Sequence, residues 1–417
     1  MTSYWCRSMK PTTYTPSTTE QPQTARWLNR NVVGMALASF FSDAGHEMAT
    51  AVLPMFLIAI GAPAFALGTI EGVADAISSF VKLGAGWFSD RIEHRKPIAV
   101  TGYFLTGITT GLFALTMTWP QVLLARAAGW FGRGMRGPVR DAMLAESVPA
   151  EARGRAFGFH RMGDTLGAII GPVIALLLVS LVNGQVSETT YRTIFLVTLI
   201  PGLLSAFAFW FFVKERRRKA NHDNGLLTSF KLMPRQFRLY LVGVGLFGMG
   251  DFAHSLLTLQ AVQMLTPALG AAEAGQVAIM LYVIHNVLYA GMAFPIGALA
   301  DRVGKREVLA AGYALAAVMG LGWIIAVPAA WYLAVLFAIG GAFIAAEDTL
   351  EGALAADLLP EDVRGTGYGV LATVNGLGDF VSSVVVGLLW SIFAPAAGFA
   401  YSVILSVAGA IVIWRAR

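Results

Sequence analysis

Residues 86–96 read GWFSDRIEHRK and residues 297–307 read GALADRVGKRE. Both carry Gly-x-x-x-Asp-Arg, and they stand 297 − 86 = 211 positions apart. The same offset lays AMLAESVPAEARGRAFG (142–158) on ALAADLLPEDVRGTGYG (353–369) without a gap. Pro149 then meets Pro360, Arg153 meets Arg364, Gly154 meets Gly365 and Gly158 meets Gly369. Two separate stretches in register at one offset mark an internal duplication. In membrane proteins, parallel repeats of this kind put the substrate path at the interface between the copies.

The rest of the chain says what was duplicated. Of 417 residues 56% are hydrophobic and only 13% charged, with a mean hydropathy of +0.64. Soluble domains carry about 25% charged residues, so this is a membrane protein. The apolar runs are of helix length, unlike the short alternating strands of an outer-membrane barrel. Twelve are read, at about 31–60, 66–88, 97–117, 120–143, 154–182, 192–213, 238–265, 275–299, 307–327, 330–356, 366–392 and 397–415. The expected fold class is therefore all-α, with twelve transmembrane helices in two pseudo-symmetric six-helix bundles. The expected division is a tail over 1–30, a first bundle over 31–213, a linker over 214–237 and a second bundle over 238–417. The 45 glycines suit close helix contact in lipid.

Loop charge sets the expected orientation. The connections near 90–96, 146–155, 214–238, 301–307 and 361–364 hold most of it, including KERRRK at 214–219. The alternate loops, GAPAFA (61–66), MTWP (117–120) and FAPAAG (393–398), are nearly bare. Basic loops stay inside, which places the first set and both termini in the cytoplasm of a cell whose inner membrane holds the protein. The net charge of +5 resides beside membrane spans, so the lipid bilayer is the expected partner and nucleic acid is not. The tail is rich in Thr, Pro, Ser and Gln and lacks the apolar core of a signal peptide. The single cysteine, Cys6, excludes an intrachain disulfide and a cysteine-based metal cluster. No cofactor is expected, and the protein is expected to act as a monomer.

The loop sequence G-x-L-A-D-R-x-G-K-R, complete from Gly297 to Arg306, resembles the signature of the major facilitator superfamily. The first copy departs from it, with Glu93 where the pattern has glycine, so that turn is expected to be built differently. Arg126 and Gly129 in LLARAAG resemble the Arg-x-x-x-Gly element of the fourth helix, shortened by one position. GDTLGAIIGP (163–172) resembles the fifth-helix element of exporters, although Ala175 and Leu176 replace its trailing glycines. The resemblance implies two bundles that rock about a central cavity, opening it to one side at a time. It also implies cytoplasmic gate roles for Asp90, Arg91, Asp301 and Arg302.

Ionisable residues inside the apolar runs are costly, by roughly 2.5–3.5 kcal/mol each at mid-depth on insertion scales. SFFSDAGHEM (39–48) holds Asp43, His46 and Glu47, with Asp43 about 18 Å along its helix and the other two on the same face. The seventh helix repeats Asp-x-x-His at Asp251 and His254, the second offers Glu71 and Asp75, and the eighth offers His285. In the fourth helix Arg126, Arg133 and Arg140 recur every seven residues, with Arg136 nearby. The repeat sets Glu347 against Arg136 and Glu351 against Arg140 (136 + 211 = 347; 140 + 211 = 351). That inversion of sign suits ion pairs across the half–half interface, so these four are expected as gate residues. His160, Arg161 and Asp164 in the fifth helix suit either a functional or a structural role. The lone charges Lys82 and Asp379 are expected to be satisfied by neighbours.

Two mechanisms fit. In one, a small molecule is exported in exchange for protons. Asp43, Glu47 or Asp75 binds the proton, and Arg126 or Arg133 favours deprotonation or holds an anionic substrate. Asp251, His254, His285, His46 and Glu71 complete the candidate lining of that site. In the other, Asp43, His46, Asp251 and His254 bind a divalent transition metal, in likeness of residue type to ferroportin-like iron exporters. An enzyme is not expected: HEMAT (46–50) has Thr50 where a zinc protease needs histidine.

Overall fold

In the computed structural model of the protein, the described residues are 26–63, 65–181, 187–215, 231, 233–252 and 254–415. Residues 1–25 of the expected tail, Cys6 among them, and most of the expected linker lie outside them. The helices are α1 (Arg30–Ala59), α2 (Phe65–Asp90), α3 (Lys96–Leu112), α4 (Trp119–Glu146), α5 (Arg153–Ser180) and α6 (Glu188–Phe212). The second set is α7 (Arg235–Gly248), α8 (Ser255–Leu269), α9 (Ala271–Val303), α10 (Lys305–Ile325), α11 (Ala330–Leu358), α12 (Arg364–Ile392) and α13 (Pro395–Arg415).

Local chemistry sets the helix starts. The Asn29 side chain accepts the backbone amides of Asn31 and Val32 at 2.9 and 3.1 Å, closing the open end of α1. Before α4, Gln121 reaches back to the amide of Thr118 at 3.2 Å, half of a reciprocal cap. Eight helices, α3, α5, α6 and α9–α13, are long and apolar enough to cross a membrane. The spans that fall short by that measure are α1, α2, α4 and the α7–α8 pair. The first three are diluted by the charges that the sequence places at mid-depth.

The fourth case corrects an expectation. The run over 238–265 is not one helix but two, interrupted between Met249 and His254. Glycines at 248 and 250 weaken the helix there. The Asp251 amide folds back on the carbonyls of Phe247 (3.0 Å) and Gly248 (3.1 Å), and Ser382 of α12 donates to the freed Asp251 carbonyl. Irregular backbone at this depth survives only where protein or a cavity supplies partners. Asp251 and His254 therefore do not share a continuous helical face.

The two halves pack alike. α1 lies on α5 and α6, α2 on α4, and α3 on α4 and α6. In the second half α7 lies on α12 and α13, α9 on α11, and α10 on α11 and α13. The halves meet chiefly along two seams, α5 against α9 and α2 against α12. Each seam closes on a pair of glycines. A Cβ on Gly86 would strike the Gly365 carbonyl, and one on Gly297 would strike the Gly154 carbonyl. Those pairs are images under the 211-residue repeat. The connection at Glu93 does differ from its copy. Five residues (91–95) join α2 to α3, whereas Gly304 alone, at φ +129°, joins α9 to α10.

Candidate functional site

Both seams lie at the end of the bundle that carries the charged loops, and each is locked by a carboxylate on a helix start. Asp90, closing α2, accepts the backbone amides of Gly365 (3.0 Å) and Thr366 (2.6 Å) and the Thr366 hydroxyl (2.7 Å). Asp301 of α9 accepts the amides of Gly154 (2.8 Å) and Arg155 (3.0 Å), with the Arg155 side chain at 3.0 Å. The free amides and positive dipole end of a helix make it a natural anion site. Here each half supplies the anion to the other half's helix. Arg91 lies over the Trp87 ring at 4.1 Å, and Arg302 is exposed.

A second layer of charge braces each lock. Arg95, 1% exposed, bonds Asp90 and reaches Glu146 at 2.6 Å, with Arg364 of the other half 4.0 Å from Glu146. At the other lock Lys305 reaches Asp357 at 2.8 Å, and Arg153 crosses the seam to the same carboxylate at 2.6 Å. Arg95, Glu146, Arg153, Asp357 and Arg364 are not among the site residues expected from the sequence. The signal was available, since Glu146 and Asp357 are also 211 apart.

At mid-depth the first half neutralises its own charges. Asp43, 4% exposed, accepts two bonds from Arg133 (3.0 and 3.2 Å), and Arg136 stands 3.6 Å away. Arg126 pairs with Glu71 at 2.9 Å and bonds the Thr50 hydroxyl at 3.1 Å. His46 meets the edge of Trp130, whose ring also lies under Arg126 and Arg133. Glu47 is half-buried and Asp75 exposed. A network undecided in the sequence appears here: Ser39 joins His160 (2.8 Å), Tyr103 (3.0 Å) and Arg140 (3.3 Å), tying α1, α3, α4 and α5 together.

The second half differs. The His254 and His285 rings stand 4.9 Å apart and His254 also faces Phe343, so the imidazoles meet each other rather than Asp251. Among the described residues no three metal-ligating side chains converge, and the Asp43, His46, Asp251, His254 set is dispersed over these separate contacts.

The expected pairs across the interface are not made in this conformation. Arg140 bonds Asp141 at 2.9 Å, while Glu351 takes the Tyr313 hydroxyl and the Asn375 amide (2.6 Å). Arg136 lies over the Tyr103 ring at 4.1 Å. Arg140 and Glu351 each find partners inside their own half, which a one-dimensional offset could not show. Arg161 links the halves here: it holds Asp164 of its own helix at 3.1 Å and stands 3.4 Å from Asp348 of α11. Between these walls lies a cavity of about 370 Å³. Arg133, Arg136, Arg140, Asp251, Glu347 and Glu351 all line it, as do Lys82 and Asp379.

Two half-bundles joined by symmetric seams around one charged cavity define a secondary-transporter architecture. The profile of the Major Facilitator Superfamily matches residues 35–272 and 252–417, and the chain belongs to that family. It is 29% identical to an uncharacterized MFS-type transporter, MJ1317, of Methanocaldococcus jannaschii, over 92% of this chain and 94% of the relative. It is 26% identical to the multidrug resistance protein MdtG of Dickeya zeae, over 77% of this chain and 79% of the relative. Its fold matches the Escherichia coli fucose:proton symporter FucP with a TM-score of 0.76, at 15% identity, over 93% of this chain and 98% of that one.

Proposed function

We propose that the protein exports a small molecule across the inner membrane in exchange for protons, by alternating access. The observation that carries the coupling is the buried pair between Asp43 and Arg133, at 3.0 Å. Arg133 also lines the cavity. Protonating Asp43 removes the counter-ion of a guanidinium that faces the substrate path, so proton occupancy and cargo occupancy are linked through one side chain. Glu71 and Arg126 form a further ion pair in the first half, at 2.9 Å. Export by exchange follows when the protonated, cargo-free carrier is the form that returns. The likeness to a relative named for multidrug resistance supports that direction.

The seams belong to the cytoplasmic side in this reading, because the basic loops lie at their end. The conformation then holds the inside closed, with Asp90 and Asp301 as its locks. The division into a tail over 1–30, bundles over 31–213 and 238–417 and a linker over 214–237 is part of the same proposal, as is action as a monomer. Everted membrane vesicles energised acid-inside, offered pooled radiolabelled metabolites, test it. Uptake abolished by a protonophore and by Asp43→Asn is expected. Uptake indifferent to both would refute proton exchange.

A further inference from the structure

The cavity walls carry opposite charge. From the first half come five basic side chains, Lys82, Arg133, Arg136, Arg140 and Arg161, against two acidic ones, Asp141 and Asp164. From the second half come five acidic side chains, Asp251, Glu347, Asp348, Glu351 and Asp379, and no basic one. Part of this is neutralised locally. Arg133 has Asp43, which Arg136 also approaches at 3.6 Å, Arg140 has Asp141, and Arg161 has Asp164 and Asp348.

What is left over is specific. Arg136, 2% exposed, has two guanidinium nitrogens, Nε and Nη1, with no hydrogen-bond partner among the described residues. Across the cavity Glu347 has an unpartnered Oε2 and Asn375 an unpartnered Oδ1. Arg136 and Glu347 are the same position of the duplicated unit (136 + 211 = 347). The repeat has kept the place and reversed the charge. An orphaned donor and orphaned acceptors thus belong to residues on opposite walls of the cavity. Leaving buried polar atoms unpaired costs about 1–3 kcal/mol each, and more for charged groups.

We propose that the cargo is a small zwitterion, an amino-acid-like molecule carrying one anionic and one ammonium group, bound across the cavity. Its anionic end takes the free donors of Arg136, and its ammonium end donates to Glu347 and Asn375. A plain anion placed here meets a wall of carboxylates, and a plain cation meets the arginines. Like charges in a low-dielectric site repel strongly. A neutral polyol leaves both walls uncompensated. Only a cargo with both signs completes both. The volume suits it, since about 370 Å³ lies at the small end of ligand sites. This inference rests on the reading of the chain as a carrier and names what it carries.

The full-length protein, purified in detergent, is exposed to three matched pools: zwitterionic L-amino acids, the corresponding deaminated carboxylic acids, and the corresponding decarboxylated amines. The amino-acid pool should raise the melting temperature by on the order of 3 °C at saturation, and the two matched pools should not. Arg136→Gln and Glu347→Gln should each remove that shift. If the acid pool or the amine pool stabilises the wild-type protein as well as the amino-acid pool does, or if the amino-acid pool has no effect, the proposal is overturned. The wild-type comparison decides even where a variant fails to fold. Proteoliposome flux separates this inference from the proton-exchange reading. Amino-acid binding without gradient-driven flux sinks the exchange and spares the cargo class. Gradient-driven flux of an acid or amine alone does the reverse.

Discussion

Asp301 of α9 accepts the backbone amide of Gly154 at 2.8 Å, across the seam between the two halves of the molecule. The bond is charge-assisted, and among the described residues its acceptor is one of two such locks. Asp301→Asn keeps the size of the side chain but replaces an accepting oxygen with a donor. Hydrogen bonds to charged groups contribute about 1.5–3 kcal/mol, which is roughly a ten- to hundred-fold change in the closed population. The variant should insert and purify normally while transport falls severely. Full flux at wild-type expression would remove Asp301 from the gate.

The glycine contacts behind these locks predict a conformational effect. A side chain at Gly297 meets the Gly154 backbone, which cannot move aside as a flexible side-chain tip could. Gly297→Val should push the population toward the form open at the charged-loop end. Spin labels on cysteines placed at the tips of α5 and α9, in a Cys6→Ser background, should show longer distances than in the parent. An unchanged distance distribution would mean that the seam yields without opening.

Removing the counter-ion of Arg133 should cost stability. Breaking one partner of a buried pair leaves an uncompensated charge, worth about 3–5 kcal/mol. Asp43→Asn should lower the melting temperature in detergent, and Arg133→Gln added to it should restore part of the loss. If the double variant is no more stable than Asp43→Asn alone, the pair is not an energetic unit.

Arg140 and Glu351 are equivalent in the repeat and opposite in sign, yet each is satisfied within its own half. A double-mutant cycle on stability, with Arg140→Gln and Glu351→Gln, should give a coupling below about 0.5 kcal/mol, the range of independent sites. A larger coupling would show that the two meet in a second conformation that is well populated.

Much of this architecture was legible in the chain, and the reason is physical. A duplication writes every symmetric contact twice, so Asp90 and Asp301, or Gly86 and Gly297, announce each other. The place of Asp43 near the middle of α1 followed from the apolar run that carries it. Pairing did not, because partner choice depends on rotamer and helix rotation. Arg136 and Arg140 chose Tyr103 and Asp141 over the glutamates that the offset put opposite them. The interruption between α7 and α8 hid inside an apolar run, since hydropathy averages over so short an irregular stretch. Lys82 and Asp379 read as isolated charges, and only the assembled cavity brought them to one place.

The two seams are assembled from one set of parts exchanged between copies: an aspartate and a glycine from one half, a glycine-bearing helix start from the other. One coding change in the chain therefore weakens one seam and leaves its twin intact. The intact seam then serves as a hinge. A damaged carrier of this design should not simply fall open but swing about its surviving lock, leaking on one flank before it fails on both.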